Sequence, residues 1–511
     1  MSARATLAGA LVAVALVACG DGGGAVVDAQ DIAVELADDV AEVAEVVADV
    51  EIIEDVEIVE GPALAPWPVV ADPSFEAFFR RDAVQRVTLR VERAEWDALI
   101  AHMLEYAAID PAMRTNRYFR ATFVHTAPDG GEEVIEEIGF RTRGNTTRDL
   151  PEDADGAYHR AHFKLKFDAL FDLTPGTPAY EERDARRFRG MKELSLKWER
   201  GDDPTQIREL FAYDLLRRIG VPAPRVGPVA LTFEIGGEPV YFGLYLAIEG
   251  VDKPFLTKRV GADHNDGDLY KCLWLHEGPA TLEPITNPRA VGVKDWERDY
   301  RPAYDLQTNE ETSTHADLLA LIDALDALDG EALRTWLDAR FEVEPFLRWL
   351  AANVLIGMPD DYWAMGNNYY LYFGPERALF IPWDYDHGLG GGWGGEPAWS
   401  HAAIATADVF AWKNLNAAFG RPGARHPLVD KILVIPEYRA RYVALLRALI
   451  DPARDLFGRA PWAALYESQA PLYAPWLVND TGEGEVMERT GAEESWIDTR
   501  VESVRAQLDA P

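Results

Sequence analysis

The chain runs to 511 residues, 48% of them hydrophobic and 15 of them tryptophan, enough for a large core spread over roughly two or three lobes. Its formal net charge of −36 argues against a nucleic-acid partner. Two cysteines, Cys19 and Cys272, are too few for a disulfide framework.

Residues 1–19 read as a lipoprotein signal peptide. Arg4 precedes the apolar run 7–17, which ends in Leu16-Val17-Ala18-Cys19 and resembles a bacterial lipobox. In that pattern the leader is cut before the cysteine. A lipidated Cys19 would then tie the protein to a membrane, in the cell envelope outside the cytoplasm. An ordinary secretory leader is the plainer alternative. No other segment holds ~18 apolar residues in a row. Residues 20–72 read as an acidic low-complexity tether, with acids alternating with Val, Ala and Ile. No Lys or Arg occurs between Arg4 and Arg80, and unscreened like charge holds such a segment extended.

Residues 73–250 carry mostly strand patterns. Strands are expected at 87–91, 118–126 and 134–143, and a helix at 94–108. The third strand runs into Arg143-Gly144-Asn145-Thr146-Thr147, a loop suited to anions or simply a polar turn. His162-Phe163-Lys164-Leu165-Lys166-Phe167 alternates, which sets Lys164 and Lys166 on one face. Another short strand is expected at 190–197. Acids and a proline at 202–205 predict a helix start, with Glu209 in the first turns. Strands at 228–234 and 239–248 follow, and Glu249 ends the second.

Residues 251–511 turn helical after a strand holding Asp268-Leu269-Tyr270-Lys271. Helices are expected at 316–328, 331–339, 344–358, 427–435, 438–449 and 495–508. Between them lies a hairpin, 369–373 and 378–381, joined by Gly374-Pro375-Glu376-Arg377. Asp360-Asp361 and Asp384-Tyr385-Asp386 close the apolar runs on either side, with Asn367 and Asn368 between. Such oxygen donors at the rim of a cleft suit a hard cation such as Mg²⁺. The glycine-rich stretch 388–395 is expected to be mobile.

Several of these stretches, in order, resemble the CotH kinase family, named for a spore-coat protein. They are Arg143 to Thr147, Lys164-Leu165-Lys166-Phe167, Ile207-Arg208-Glu209-Leu210, Gly243-Leu244-Tyr245-Leu246 with Glu249, Leu269-Tyr270-Lys271, Asn368-Tyr369-Tyr370-Leu371-Tyr372 and Pro382-Trp383-Asp384-Tyr385-Asp386. The resemblance implies an α+β, much diverged protein-kinase-like fold of two lobes, strand-rich in front and helical behind. It implies transfer of the ATP γ-phosphate to a protein hydroxyl, with Mg or Mn. Lys166 resembles the lysine that holds the ATP phosphates, with Lys164 the looser match. Glu209 resembles its helix partner. Asp361 resembles the catalytic-loop acid, although no His-Arg precedes it and Asp360 is the alternative. Asn368 and Asp384 resemble the metal ligands, with Asp386 a second acid. Residues 245–249 resemble the adenine hinge, and Glu249 and Lys271 stand with the cofactor-binding residues. The usual Gly-rich loop is absent, and Arg143 to Thr147 is its candidate substitute.

Two other functions fit parts of the pattern. One is a non-catalytic surface or coat protein that keeps the fold. The other is a sugar-handling protein that uses Asp384-Tyr385-Asp386 as an Asp-x-Asp metal motif, with aromatic platforms near Trp393 and Trp399.

Overall fold

Strict alternation makes β1 (Gln85–Val91): Val87, Leu89 and Val91 turn inward while Arg86 and Arg90 face water. The computed structural model to which it belongs describes residues 63–145, 148–199, 203–391, 401–419, 424–489 and 491–510. The leader, Cys19, Thr146, Thr147, Trp393 and Trp399 therefore lie outside the described residues, as do residues 392–395 of the glycine-rich stretch.

Strand β1 pairs antiparallel with β2 (Phe119–Thr126), which pairs with β3 (Glu132–Arg143). Then come β4 (His162–Lys166), β5 (Glu193–Lys197), β6 (Val226–Ile235) and β7 (Glu238–Glu249). Their order in space is β1-β2-β3-β4-β5-β7-β6, and parallel pairing of β6 with β1 closes a barrel. Closure leaves no open edge. Helix α1 (Pro73–Phe78) leads into β1, and α2 (Arg93–Tyr106) follows it. Helix α2 buries Trp96, Leu99, Met103 and Tyr106, one helical stripe. Trp96 joins Phe140, Phe163, Phe233 and Phe242 in one aromatic cluster. Each such ring removed from water contributes about 1.5–3 kcal/mol. Helices α3 (Pro178–Asp184), α4 (Arg208–Arg218) and α5 (Lys253–Val260) complete this half.

The second half holds a five-stranded sheet, ordered β12-β11-β8-β10-β9. Its strands are β8 (Asp268–Cys272), β9 (Val291–Gly292), β10 (Tyr304–Leu306), β11 (Tyr369–Phe373) and β12 (Ala378–Pro382). The expected hairpin is β11 and β12, in register from Tyr369 with Pro382 to Phe373 with Ala378. Around the sheet stand α6 (Ala316–Ala327), α7 (Gly330–Arg340), α8 (Val343–Ile356), α9 (Tyr362–Met365), α10 (His401–Thr406), α11 (Pro427–Ile432), α12 (Pro436–Leu449), α13 (Arg459–Tyr473) and α14 (Gly491–Leu508). Helix α8 is buried on nearly every face, which is why its sequence is apolar all round. Trp349 on α8 lies 4.2 Å, ring to ring, from Phe380 on β12. Gly357 ends α8 at φ +70°, and a Cβ there would lie 2.5 Å from the Trp496 ring. This turn sets the direction of the segment that carries Asp360.

The protein is thus α+β, strand-rich in its first half and helical in its second. Two local expectations shift. The helix expected from 202–205 begins only at Arg208, because Asp203 turns the chain by accepting from the Thr205 and Arg208 amides at 2.9 and 3.2 Å. The tether, expected to stay unpacked to residue 72, docks at its end. Trp67 Nε1 donates to the Arg259 carbonyl at 3.1 Å and the Val70 amide to the Lys258 carbonyl at 2.7 Å.

Candidate active site

Strand β5 ends in a buried lysine, Lys197, and α4 carries buried Glu209 in its first turn. Lys197 Nζ lies 3.1 Å from Glu209 Oε2 and 3.2 Å from Asp386 Oδ2, and it also contacts Asp384 Oδ1. A buried ammonium is tolerated only with such partners. Burial opposes the charge on Lys197, but Asp384, Asp386 and Glu209 outweigh it and hold the ammonium above its ordinary range. Burial likewise opposes the charge on Asp384. There Lys197 and then Arg143 prevail, and the carboxyl sits below its ordinary range. At Glu209 burial wins over Lys197 and pushes the carboxyl up to about 7.

The turn after β12 presents the two acids. Asp384 adopts a left-handed backbone, φ +64°, an unfavourable conformation for a residue with a Cβ. It is held there from both sides: the Asp384 amide donates to Tyr213 Oη at 2.9 Å, and the Tyr385 amide to Glu209 Oε1 at 3.1 Å. Tyr385 Oη in turn donates to Asn353 Oδ1 at 3.0 Å, so α4, α8 and this turn form one network.

The two acids after α8 part company. Asp361 caps α9: its Oδ1 accepts from the Ala364 amide at 2.6 Å and its Oδ2 from Asn353 Nδ2. Burial holds that carboxyl well above its ordinary range. Asp360 instead accepts from Asn367 Nδ2 and Asn368 Nδ2, both at 2.8 Å. Burial pushes it up to about 6, with His387 and Asn367 working the other way. Asn368, also left-handed at φ +53°, lines the cleft with Asp384. Both oxygens of Asp361 are thus engaged within the α8–α9 turn, while those of Asp360 meet the amides of Asn367 and Asn368, the latter a residue of the cleft.

Lys166 stands away from Glu209. It lies half-buried over the Tyr118 ring, 6.0 Å to the centroid, and forms no ion pair with Glu209. Lys164 pairs with Glu193 at 2.6 Å. The lysine that meets Glu209 is Lys197, which sequence reasoning passes over. Its signal is present: a lysine closes the last strand before the helix that bears Glu209. Glu249 is also turned away from the expected role. It forms a buried pair with Arg259, 2.6 and 3.1 Å, and accepts from the Arg225 amide. Residues 246–248 of β7 are paired on both sides, to β5 and β6, and so offer no free edge to adenine, while Tyr245 is paired on the β6 side. The next residues, Gly250 and Val251, do line the cleft.

Lys271, expected with the cofactor-binding residues, is on the cleft wall. It lines the cleft between the Tyr370 and Trp383 rings, 5.8 and 5.7 Å from their centroids. It forms no ion pair among the described residues. Burial, then Arg143 and Lys164, push its ammonium down to about 7.

The cleft lies between the barrel and the five-stranded sheet. Arg143, Lys164 and Ser195 reach it from β3, β4 and β5, and Lys271, Tyr370 and Asp384 from the other side. In so acidic a chain this basic surface stands apart. Among the described residues no three His, Cys, Asp or Glu side chains gather around one point as a metal cage would. A cation here would be held by two carboxylates and an amide, Asp384, Asp386 and Asn368. Asn368 Nδ2 is engaged by Asp360, which leaves its amide oxygen for the cleft. Asp384 Oδ1 is taken by Lys197, and its Oδ2 makes no hydrogen bond among the described residues. These hard oxygen donors, few in number, fit a Mg²⁺ that keeps several waters and binds with substrate phosphates.

The sequence model of the family described as CotH kinase protein matches residues 140–497. The inner spore coat protein H of Bacillus subtilis (strain 168) is 26% identical over 339 residues, 64% of this chain and 80% of that protein.

Proposed function

Because the chain belongs to the CotH kinase protein family, we propose that it is a metal-dependent protein kinase that transfers the γ-phosphoryl group of ATP to a protein hydroxyl. The observation that carries this reading is the link from Lys197 to both Glu209 and Asp384. Lys197, Glu209, Asp360, Asn368 and Asp384 follow one another in the chain in the order of the phosphate lysine, its helix partner, the base, the metal amide and the metal acid of protein kinases. Gly250 and Val251 take the hinge position.

Phosphoryl transfer needs positioning and charge neutralisation more than covalent help. Bound Mg²⁺ or Mn²⁺ would neutralise the β- and γ-phosphate oxygens. Lys197 and Lys271 supply fixed positive charge to the phosphates, and Glu209 keeps Lys197 in place. Asp360 takes the proton of the acceptor hydroxyl as its oxygen bonds to the γ-phosphorus and the bond to the bridging oxygen breaks, releasing ADP. A base with a pKa near 6 is ionised at neutral pH yet still takes up a proton readily.

The leader supports an envelope location, with Cys19 as the lipidated residue. The name of the Bacillus relative, a spore coat protein, also fits a place outside the cytoplasm. No described helix is long and apolar enough to cross a membrane. The same relative favours one second reading, a coat or surface protein without catalysis. Incubation of the full chain with γ-labelled ATP and Mg²⁺ or Mn²⁺ separates the two. Transfer of label to the chain or to an added protein supports the kinase, and nucleotide binding without any transfer supports the silent fold.

A further inference from the structure

Helix α4 holds the acidic turn at three successive residues. Tyr213 Oη accepts from the Asp384 amide at 2.9 Å and Glu209 Oε1 from the Tyr385 amide at 3.1 Å. The third hold runs in the opposite sense: Arg208 Nη1 donates to the Asp386 carbonyl at 3.3 Å. Arg208 opens α4 and is only 2% exposed. Its backbone is fixed as well, since its amide donates to Asp203 Oδ2 at 3.2 Å.

The same guanidinium reaches the last helix of the chain. Arg208 Nη2 donates to Glu493 Oε1, in the first turn of α14, at 3.3 Å. Glu493 is buried too, so the contact is sealed from water. A planar fork serves two acceptors in fixed directions, which a lysine ammonium does not. Burial and then Asp203 push the Glu493 carboxyl up to about 8, with Arg208 working the other way. At neutral pH its oxygen is therefore an acceptor that an uncharged amide can replace. The chain beyond the turn closes over this guanidinium: a Cβ on Gly391 would lie 2.8 Å from Arg208 Nη1 and 3.0 Å from its Cζ.

Helix α14 also supports the other acid-bearing segment. Arg500 Nε donates to the Val354 carbonyl at 2.9 Å, and the Trp496 ring covers Gly357, which ends α8 ahead of Asp360. Arg208 and Glu493 stand behind the acidic turn, away from the described lining of the cleft.

We propose that Arg208, braced by Glu493, is a positioning residue that fixes the backbone of the Asp384–Asp386 turn, so that the seating of α14 sets its metal affinity. The metal role of the turn rests on the kinase reading; the bracing of its backbone does not. Loss of a partner behind a metal ligand typically costs about 10–100-fold in metal affinity. Arg208 acts on the backbone of Asp386, where Lys197 acts on its carboxylate.

The test compares the full chain with Arg208→Met, Glu493→Ala and Glu493→Gln. Hydrogen exchange of the peptide spanning residues 384–391 reads the turn. Its Leu389 and Gly391 amides are bonded to the Ile356 and Gly388 carbonyls and report any opening. The Mn²⁺ concentration for half-maximal label transfer from ATP reads the metal. In Arg208→Met and Glu493→Ala the turn should exchange at least about tenfold faster, with the barrel strands unchanged. The half-saturating Mn²⁺ concentration should rise about tenfold or more, and transfer should recover at high Mn²⁺. Glu493→Gln keeps an acceptor for Arg208 and should stay within about twofold of the wild type in both readings. Arg208→Met leaves buried carboxylates without their cation, so if it fails to fold, the two Glu493 variants decide. Wild-type exchange in the turn of Glu493→Ala would overturn the proposal. So would a lower melting temperature with an unchanged Mn²⁺ requirement, the mark of a merely structural contact. If the wild type transfers no label with any metal while the turn still loses protection in the variants, the bracing stands and the kinase reading alone falls.

Discussion

Lys197 Nζ lies 3.1 Å from Glu209 Oε2, and this contact joins the end of β5 to the first turn of α4. Because the same ammonium holds Asp384 and Asp386, one side chain fixes the relative position of a helix, a strand and the acidic turn.

Removing that side chain strands three carboxylates. Lys197→Met should destabilise the protein by about 3–5 kcal/mol at neutral pH. Without the lysine the Glu209 carboxyl rises further above its unfolded pKa, and Asp384 loses the first of the charges that hold it below its own. The folded state then binds more protons than the unfolded one, so stability falls as pH rises. Thermal melts of the variant should therefore improve from pH 7 toward pH 5. A loss that does not vary with pH would contradict the buried-charge account.

The two neighbouring acids should separate activity from stability. Asp360→Asn should lower transfer by about 10²–10⁴-fold with a nearly unchanged melting temperature. Asp361→Ala removes a helix cap and should lower stability by about 0.5–2 kcal/mol. Its effect on the rate should be the smaller of the two. Parallel kinetics and melts of both variants check this.

Lys271 should make nucleotide binding proton-linked. Its folded pKa, about 7, lies below the unfolded value of about 10.4. Between those values the unfolded chain binds more protons, so this group makes stability rise with pH across that window. A bound polyphosphate restores the charge on Lys271. Binding should therefore take up a proton above pH 7 and weaken as pH increases. Calorimetry in buffers of different ionisation enthalpy measures the uptake, which Lys271→Met should remove.

Glu249 should behave as a structural residue. Glu249→Gln leaves Arg259 buried without its counter-ion and should cost about 3–5 kcal/mol. The KM for ATP of the folded fraction should stay near that of the wild type.

How much of this is legible in the sequence differs from residue to residue. Glu209, Asn368, Asp384 and Asp386 sit at a helix start or a strand end, where sequence punctuation is strong, and the structure brings them near one another. Lys271, in a matching stretch, lines the same cleft. Lys197 is not legible. Period-two alternation in β4 offers two lysines on one face, but alternation does not tell which face meets the site. That depends on where β5 and α4 come together. Asp361 reads as readily as Asp360 because the cap it forms serves a helix of only four residues, too short for a periodic signal. Closure of the barrel is equally hidden, since it rests on pairing Gln85–Val91 with Val226–Ile235, far apart in the chain.

The most direct measurement compares label transfer from γ-labelled ATP by the wild type, Lys197→Met and Lys166→Met, each with Mg²⁺ and each first shown to be folded. Transfer should persist in the wild type and Lys166→Met and fall at least about a hundredfold in Lys197→Met, on the order of a removed phosphate-holding charge. Full activity in Lys197→Met, or a loss confined to Lys166→Met, would contradict it.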